Sequence, residues 1–161
     1  SSPKNYFGID VDKESVEQSI KKYGQYGVFK VYDGKKIPFE NKSFDSLICL
    51  EVIEHVNNPR EFINQSCDLV NNNGLMFIAT INKTLFSLVF AKFTAEYILG
   101  FLPKGTHNWN KFLTPEEIYS FLIQNKFDVI GSAGVNYNPL GDTWYKSQNM
   151  NANYMVAGKK I

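Results

Sequence analysis

Residues Phe44 to Val56 read FDSLICLEVIEHV, an apolar run that ends in two carboxylates and an imidazole. The segment Phe44 to Val52 has the composition of a strand buried on both faces, as in a parallel sheet covered by helices. Downstream, Pro59 suits the first turn of a helix reaching about Val70, with Glu61 near its positive end. Phe62, Ile63, Ser66, Leu69 and Val70 would form the buried stripe of that helix. Asn73-Gly74 signals a stop, and Leu75 to Ile81 (LMFIATI) reads as another buried strand. Upstream, Tyr6 to Val11 is a short apolar run closed by acids, followed by a helical pattern over Lys13 to Tyr23 with Val16 and Ile20 on one face. Gly24 and Gly27 break that helix, Val28 to Tyr32 supplies a β-like run, and Gly34 to Ser43 is a polar loop. This β-α-β-α-β alternation predicts an α/β fold with a mostly parallel sheet and helices on both faces.

The second half is less regular. Thr84 to Leu102 is a long apolar helical stretch, Pro103 to Phe112 a polar loop, and Thr114-Pro115-Glu116-Glu117 opens another helix with an N-cap and acids in its first turn. Phe127 to Gly131 and Asn153 to Ala157 are predicted as closing strands, separated by an irregular stretch around Tyr137 to Leu140.

At 161 residues the chain has the size of one domain, and 43% hydrophobic with 20% charged residues is ordinary for a globular protein. A net charge of +1 offers no field to attract nucleic acid, and no such partner is expected. Cys49 and Cys67 are too few for a disulfide framework and read as buried, reduced thiols. Lys92 and Glu96 interrupt the 84–102 stretch, which is marginally short for a bilayer span. Two readings of it stay open on composition alone: a helix buried under a lid, or one lying in a membrane interface.

Several residues could carry chemistry. Asp10 closes the first strand, where a carboxylate could accept both hydroxyls of a ribose, although Asp12 is the better helix cap. Asp33 could contact an adenine amino group, but Asp33-Gly34 is also a common turn pair. Glu51, Glu54 and His55 could bind a divalent cation through mixed oxygen and nitrogen ligands, could supply a base for a phenolic proton, or could be a solvated turn. His107 lies in a loop as a further candidate base or substrate contact, and Thr80 and Asn82 end a central strand facing the same crevice.

Taken together, FDSLICLEVIEHV, Thr80 to Thr84 (TINKT), Ala95 to Glu117 (AEYILGFLPKGTHNWNKFLTPEE), Tyr137 to Leu140 (YNPL) and Asn151 to Tyr154 resemble the ubiquinone-biosynthesis O-methyltransferases, within the Rossmann-like class I S-adenosylmethionine (SAM) methyltransferases. PKGTH followed by KF and YNP is the specific part of the match, and TINKT and THNW look closer to mitochondrial members. The resemblance implies SAM as cofactor, with Asp10 on its ribose and the Leu50 backbone bordering it. It implies a divalent metal, Mg2+ before Zn2+, on Glu51, Glu54 and His55, with Glu51, His55 and His107 as the catalytic candidates. The implied reaction methylates a phenolic oxygen of a polyprenyl dihydroxybenzoate and later of a demethylubiquinol. The implied setting is the matrix face of the mitochondrial inner membrane, or alternatively a bacterial cytoplasm at the membrane. There the 84–102 segment would dock on the membrane and other quinone-biosynthesis proteins would be partners.

The chain departs from the family in lacking any G-x-G-x-G pattern, expected upstream of Phe7. Residues 1–161 are therefore expected to be the C-terminal three-quarters of one methyltransferase domain, with an apolar helical insertion at about 84–112. The missing strand would lie between the Tyr6 to Val11 and Phe44 to Val52 strands. A degenerate relative, serving as an inactive scaffold or lipid-binding component of a quinone-synthesis complex, is the alternative. A methyltransferase acting on small molecules outside quinone synthesis is a further one, disfavoured by PKGTH.

Overall fold

A computed structural model describes residues 5–84, 112–138 and 141–161. His107 and the expected apolar insertion, apart from Thr84 and Phe112 at its ends, lie outside the described residues. The chain divides into two compact units, Ser1–Phe39 and Glu40–Ile161.

The first unit is a parallel β-α-β element: β1 (Tyr6–Asp10), α1 (Lys13–Tyr23) and β2 (Gly27–Val31), with Tyr6 opposite Gly27 and Asp10 opposite Val31. Asp12 caps α1 by accepting the Ser15 N–H at 2.8 Å. Of the expected stripe on α1, Val16 is buried, whereas Ile20 is 50% exposed. Asp33 forms the turn: its carboxylate accepts the Lys35 and Lys36 N–H groups, which hold it below the usual carboxylate range. Gly34 follows with φ +78°, a conformation that glycine adopts at no steric cost.

The second unit is a five-stranded sheet in the order β3-β4-β7-β5-β6. Its strands are β3 (Phe44–Leu50), β4 (Val70–Ile81), β5 (Phe127–Asn138), β6 (Thr143–Ser147) and β7 (Asn153–Lys160). β3 and β4 are parallel, joined through α2 (Pro59–Leu69), while β7 runs antiparallel between β4 and β5, and β6 extends β5 as a hairpin. Asn58 caps α2 by accepting the Glu61 N–H. At the other end of α2, the buried Lys160 ammonium donates to the carbonyls of Cys67 (2.7 Å) and Val70 (2.9 Å). Those two bonds satisfy acceptors that a helix end leaves open. The third helix, α3 (Pro115–Gln124), starts in a capping box made by Thr114 and Glu117.

Three sequence expectations need correction. β4 begins at Val70, not Leu75: Phe44 pairs with Val70 and Ser46 with Leu75, so Asn71 to Gly74 form an irregularity instead of a stop. A Cβ on Gly74 would lie 2.6 Å from the Val70 side chain and 3.0 Å from the Asp45 carbonyl, which explains glycine there. The irregular stretch before the last strand contains β6, whose TWYKS composition and Gly141-Asp142 turn are hairpin signals. Finally, β3 is not covered on both faces. Among the described residues it pairs with β4 alone, and Ile48 (66%) and Leu50 (50%) are exposed, while Cys49 is buried.

The core joins α2 and α3 to the sheet through Ile53, Ile63, Cys67, Met76, Ile78, Ile118, Leu122, Phe127, Tyr154 and Val156. Both free cysteines are buried, as expected, and burial pushes each thiol up to about 12. Ile118 is fully enclosed. Ile118→Ala should cost about 2–5 kcal/mol in denaturant unfolding, from lost transfer free energy and the cavity left behind. A cost within the range of surface substitutions would show that α3 is not part of this core.

Candidate active site

β3 stops at Leu50, and Glu51 turns the chain with φ +52°. This left-handed conformation costs a residue with a Cβ on the order of 1–3 kcal/mol. What holds Glu51 is the neighbouring strand: its N–H donates to the Ala79 carbonyl at 2.9 Å, continuing the ladder one bond past the Leu50–Ala79 pair. Two residues on, Ile53 is driven into the core, and the His55 N–H closes the turn on the Val52 carbonyl at 3.0 Å.

Glu54 therefore enters a buried position with only 4% exposure. Its Oε2 accepts the hydroxyl of Thr80, itself buried near the end of β4, at 2.8 Å. Glu51, an exposed residue, lies near enough to Glu54 for their charges to interact. Crowding by protein raises the Glu51 carboxyl, the negative charge of Glu54 and a hydrogen bond to it add to the effect, and the value reaches about 7. Beneath them, Cys49 is raised first by burial and then by the charges of Glu54 and Glu51.

The strand end that the sequence singled out is thus a real feature, though not the full expected triad. His55 is exposed, and among the described residues no three His, Cys, Asp or Glu side chains converge into a group that could hold a metal ion. Leu50 lies at the end of β3, with its side chain half exposed. Asp10 belongs to the first unit, where its Oδ1 accepts the Asp12 N–H at 2.9 Å and Asp12 takes the capping role. Asn82 is tied to Met150 and Ala152 through its side-chain amide and its backbone.

Sequence reasoning placed Thr80 on a crevice wall but missed its bond to Glu54. It also missed Tyr154, fully buried opposite Thr80 on β7, whose hydroxyl donates to the Leu113 carbonyl at 2.9 Å. A polar side chain within the apolar run LMFIATI was the available signal.

Residues 1–78 match the family model for a methyltransferase domain. The chain is 37% identical over 157 residues to the ubiquinone biosynthesis O-methyltransferase of Bartonella bacilliformis, covering 96% of this chain and 63% of that protein. It is 45% identical over 121 residues to the protein of the same name from Bartonella tribocorum, covering 75% of this chain and 49% of that protein. Relatives 36% to 45% identical to this chain carry the name ubiquinone biosynthesis O-methyltransferase. It spans between 46% and 63% of the length of such relatives. Among solved structures, a SAM-dependent methyltransferase of Thermotoga maritima matches with a TM-score of 0.71 at 12% identity, over 96% of this chain and 72% of that one. A SAM-dependent methyltransferase of Methanosarcina mazei matches with a TM-score of 0.66 at 13% identity, over 98% and 82%. Those likenesses establish the class I methyltransferase fold.

The raised carboxyl has a consequence for stability. From the ordinary value of 4.5 up to about 7, folded Glu51 keeps a proton that the unfolded chain has lost. This group's contribution therefore makes stability fall as pH rises through that window and level off above it. Glu51→Gln should remove that slope and leave the chain more stable than the unaltered one above the window, read by thermal unfolding across pH. An unchanged slope would mean that Glu51 is not the group whose carboxyl is raised.

Proposed function

We propose that the protein to which this segment belongs is a SAM-dependent methyltransferase acting on a phenolic hydroxyl of a polyprenyl dihydroxybenzoate and of a demethylubiquinol. The observation that carries this reading is the carboxylate pair at the end of β3, in a chain 36% to 45% identical to ubiquinone biosynthesis O-methyltransferases. Both units are taken as parts of one methyltransferase domain. The site would lie at a membrane surface, on the strength of the apolar Thr84 to Leu102 sequence and the tail of such a substrate. The TINKT and THNW forms favour the mitochondrial inner membrane. No described helix is long and apolar enough to cross a membrane.

Asp10 suits the ribose of the cofactor: it is an exposed carboxylate at a strand's carboxyl end, relieved of helix capping by Asp12. By resemblance, the Leu50 backbone is a further candidate for a cofactor contact. SAM, when bound, supplies an electrophilic methyl group. The protein's own task is then to orient the phenol and accept its proton. Glu51, with a carboxyl near neutrality, is suited to that exchange, whereas a carboxylate at its ordinary value would be a poor acceptor at neutral pH. His55 and His107 are the remaining candidates for the acceptor.

A divalent cation, Mg2+ before Zn2+, belongs to this proposal through Glu51, Glu54 and His55. The donor chemistry fits in part: Glu51 and Glu54 offer hard oxygen donors near one another, while the described residues form no three-ligand group. When bound, such an ion would favour the ionised phenol as a Lewis acid.

The test is methyl transfer from labelled SAM to a polyprenyl dihydroxybenzoate by the full-length protein. Transfer is expected, with loss on Glu51→Gln, and absence of transfer would contradict the reading. Calorimetric titration of Mg2+ below pH 7 should also release protons, because a cation must displace the proton that Glu51 holds there. Binding without proton release would place the ion elsewhere.

A further inference from the structure

β4 does more than pair with β3. Two consecutive residues at its carboxyl end hold the two carboxylate residues of the site by different means: the Ala79 carbonyl takes the backbone N–H of Glu51, and the Thr80 hydroxyl takes the Glu54 carboxylate. Thr80 is 1% exposed and Glu54 4%, so water has little access to either group. A hydroxyl has a single proton to donate, and Thr80 gives its proton to Glu54 Oε2 at 2.8 Å. The backbone of Thr80 is fixed as well, because it pairs with Tyr154 on β7, whose hydroxyl is tied to the Leu113 carbonyl at 2.9 Å. Between a central strand on one side and a buried carboxylate on the other, the Thr80 side chain has one useful orientation.

We infer that Thr80 is a positioning residue of the site, its buried hydroxyl fixing the Glu54 carboxylate so that the oxygen not bonded to Thr80 is presented beside Glu51. Thr80 touches no reacting atom and acts through Glu54. The inference rests on the proposed methyltransferase reading. A hydrogen bond to a buried carboxylate, unlike an apolar contact, selects one rotamer and prevents the group from swinging towards solvent. Side chains that orient a working carboxylate in this way typically govern activity by about 10- to 100-fold.

The experiment uses the full-length protein and three substitutions: Thr80→Val, Thr80→Ser and Glu54→Gln. Valine keeps the shape and removes the donor, whereas serine keeps the donor. For Thr80→Val, kcat per folded molecule should fall about 10- to 100-fold with KM for SAM within about threefold, and Thr80→Ser should restore most of the loss. In a Glu54→Gln background, adding Thr80→Val should change kcat by less than about twofold, since residues acting through one another are not additive. The double variant also covers the case in which Thr80→Val alone fails to fold, because it removes the stranded carboxylate. Full kcat in Thr80→Val, no rescue by serine, or an undiminished effect in the Glu54→Gln background would overturn the inference while leaving the methyltransferase reading intact. If Glu54→Gln itself is fully active, the site assignment falls and Thr80 falls with it.

Discussion

The parallel pairing of β3 with β4 is the constraint on which the site depends. Its register sets Leu50 against Ala79, so the next N–H on β3, that of Glu51, still finds a partner on β4. That bond anchors Glu51 at φ +52°, and the turn that follows carries Ile53 into the core. The same turn carries Glu54 to the Thr80 hydroxyl. The ends of two neighbouring strands, rather than a loop, therefore define where the carboxylates sit. Elements with this many backbone bonds place side chains more reproducibly than loops do.

The arrangement works against stability. A left-handed non-glycine residue and a carboxyl raised to about 7, first by burial and then by the charge of Glu54, both cost free energy. The supporting structure offsets that cost locally. Ile53 is a nearly fully enclosed apolar anchor between the two acids, and β4 is gripped on its other side by β7 across seven paired residues, Leu75 to Ile81. Positive φ also occurs at Lys42, Asn73, Lys126 and Asp142, so what marks this strand end is the combination of a left-handed residue with a raised carboxyl.

Much of this was legible in the sequence, and the limits have physical causes. Strongly periodic or capped elements were readable: α2 from Asn58-Pro59, α3 from Thr114 to Glu117, and the strand end at Leu50-Glu51 from the abrupt change of polarity. The bulge at Asn71 to Gly74 was misread because Asn-Gly marks turns in general, and only the approach of β3 decides which kind occurs. The exposure of Ile48 and Leu50 was also not readable, since an apolar run does not say which faces find partners. Within the site, the proximity of Glu51 and Glu54 followed from their spacing once β3 ended between Leu50 and Glu51. The bond from Thr80 did not, because it joins residues 26 apart in the chain.

The central claim is that two carboxylates share one site at the end of β3. Carbon-13 NMR titration of selectively labelled glutamate carboxyls in the full-length protein tests it directly. The account predicts a titration step near pH 7 for the Glu51 carboxyl, which disappears in Glu51→Gln and moves down in Glu54→Gln as the neighbouring charge is removed. Titration of Glu51 at the ordinary value of 4.5, or a step unmoved by Glu54→Gln, would contradict it.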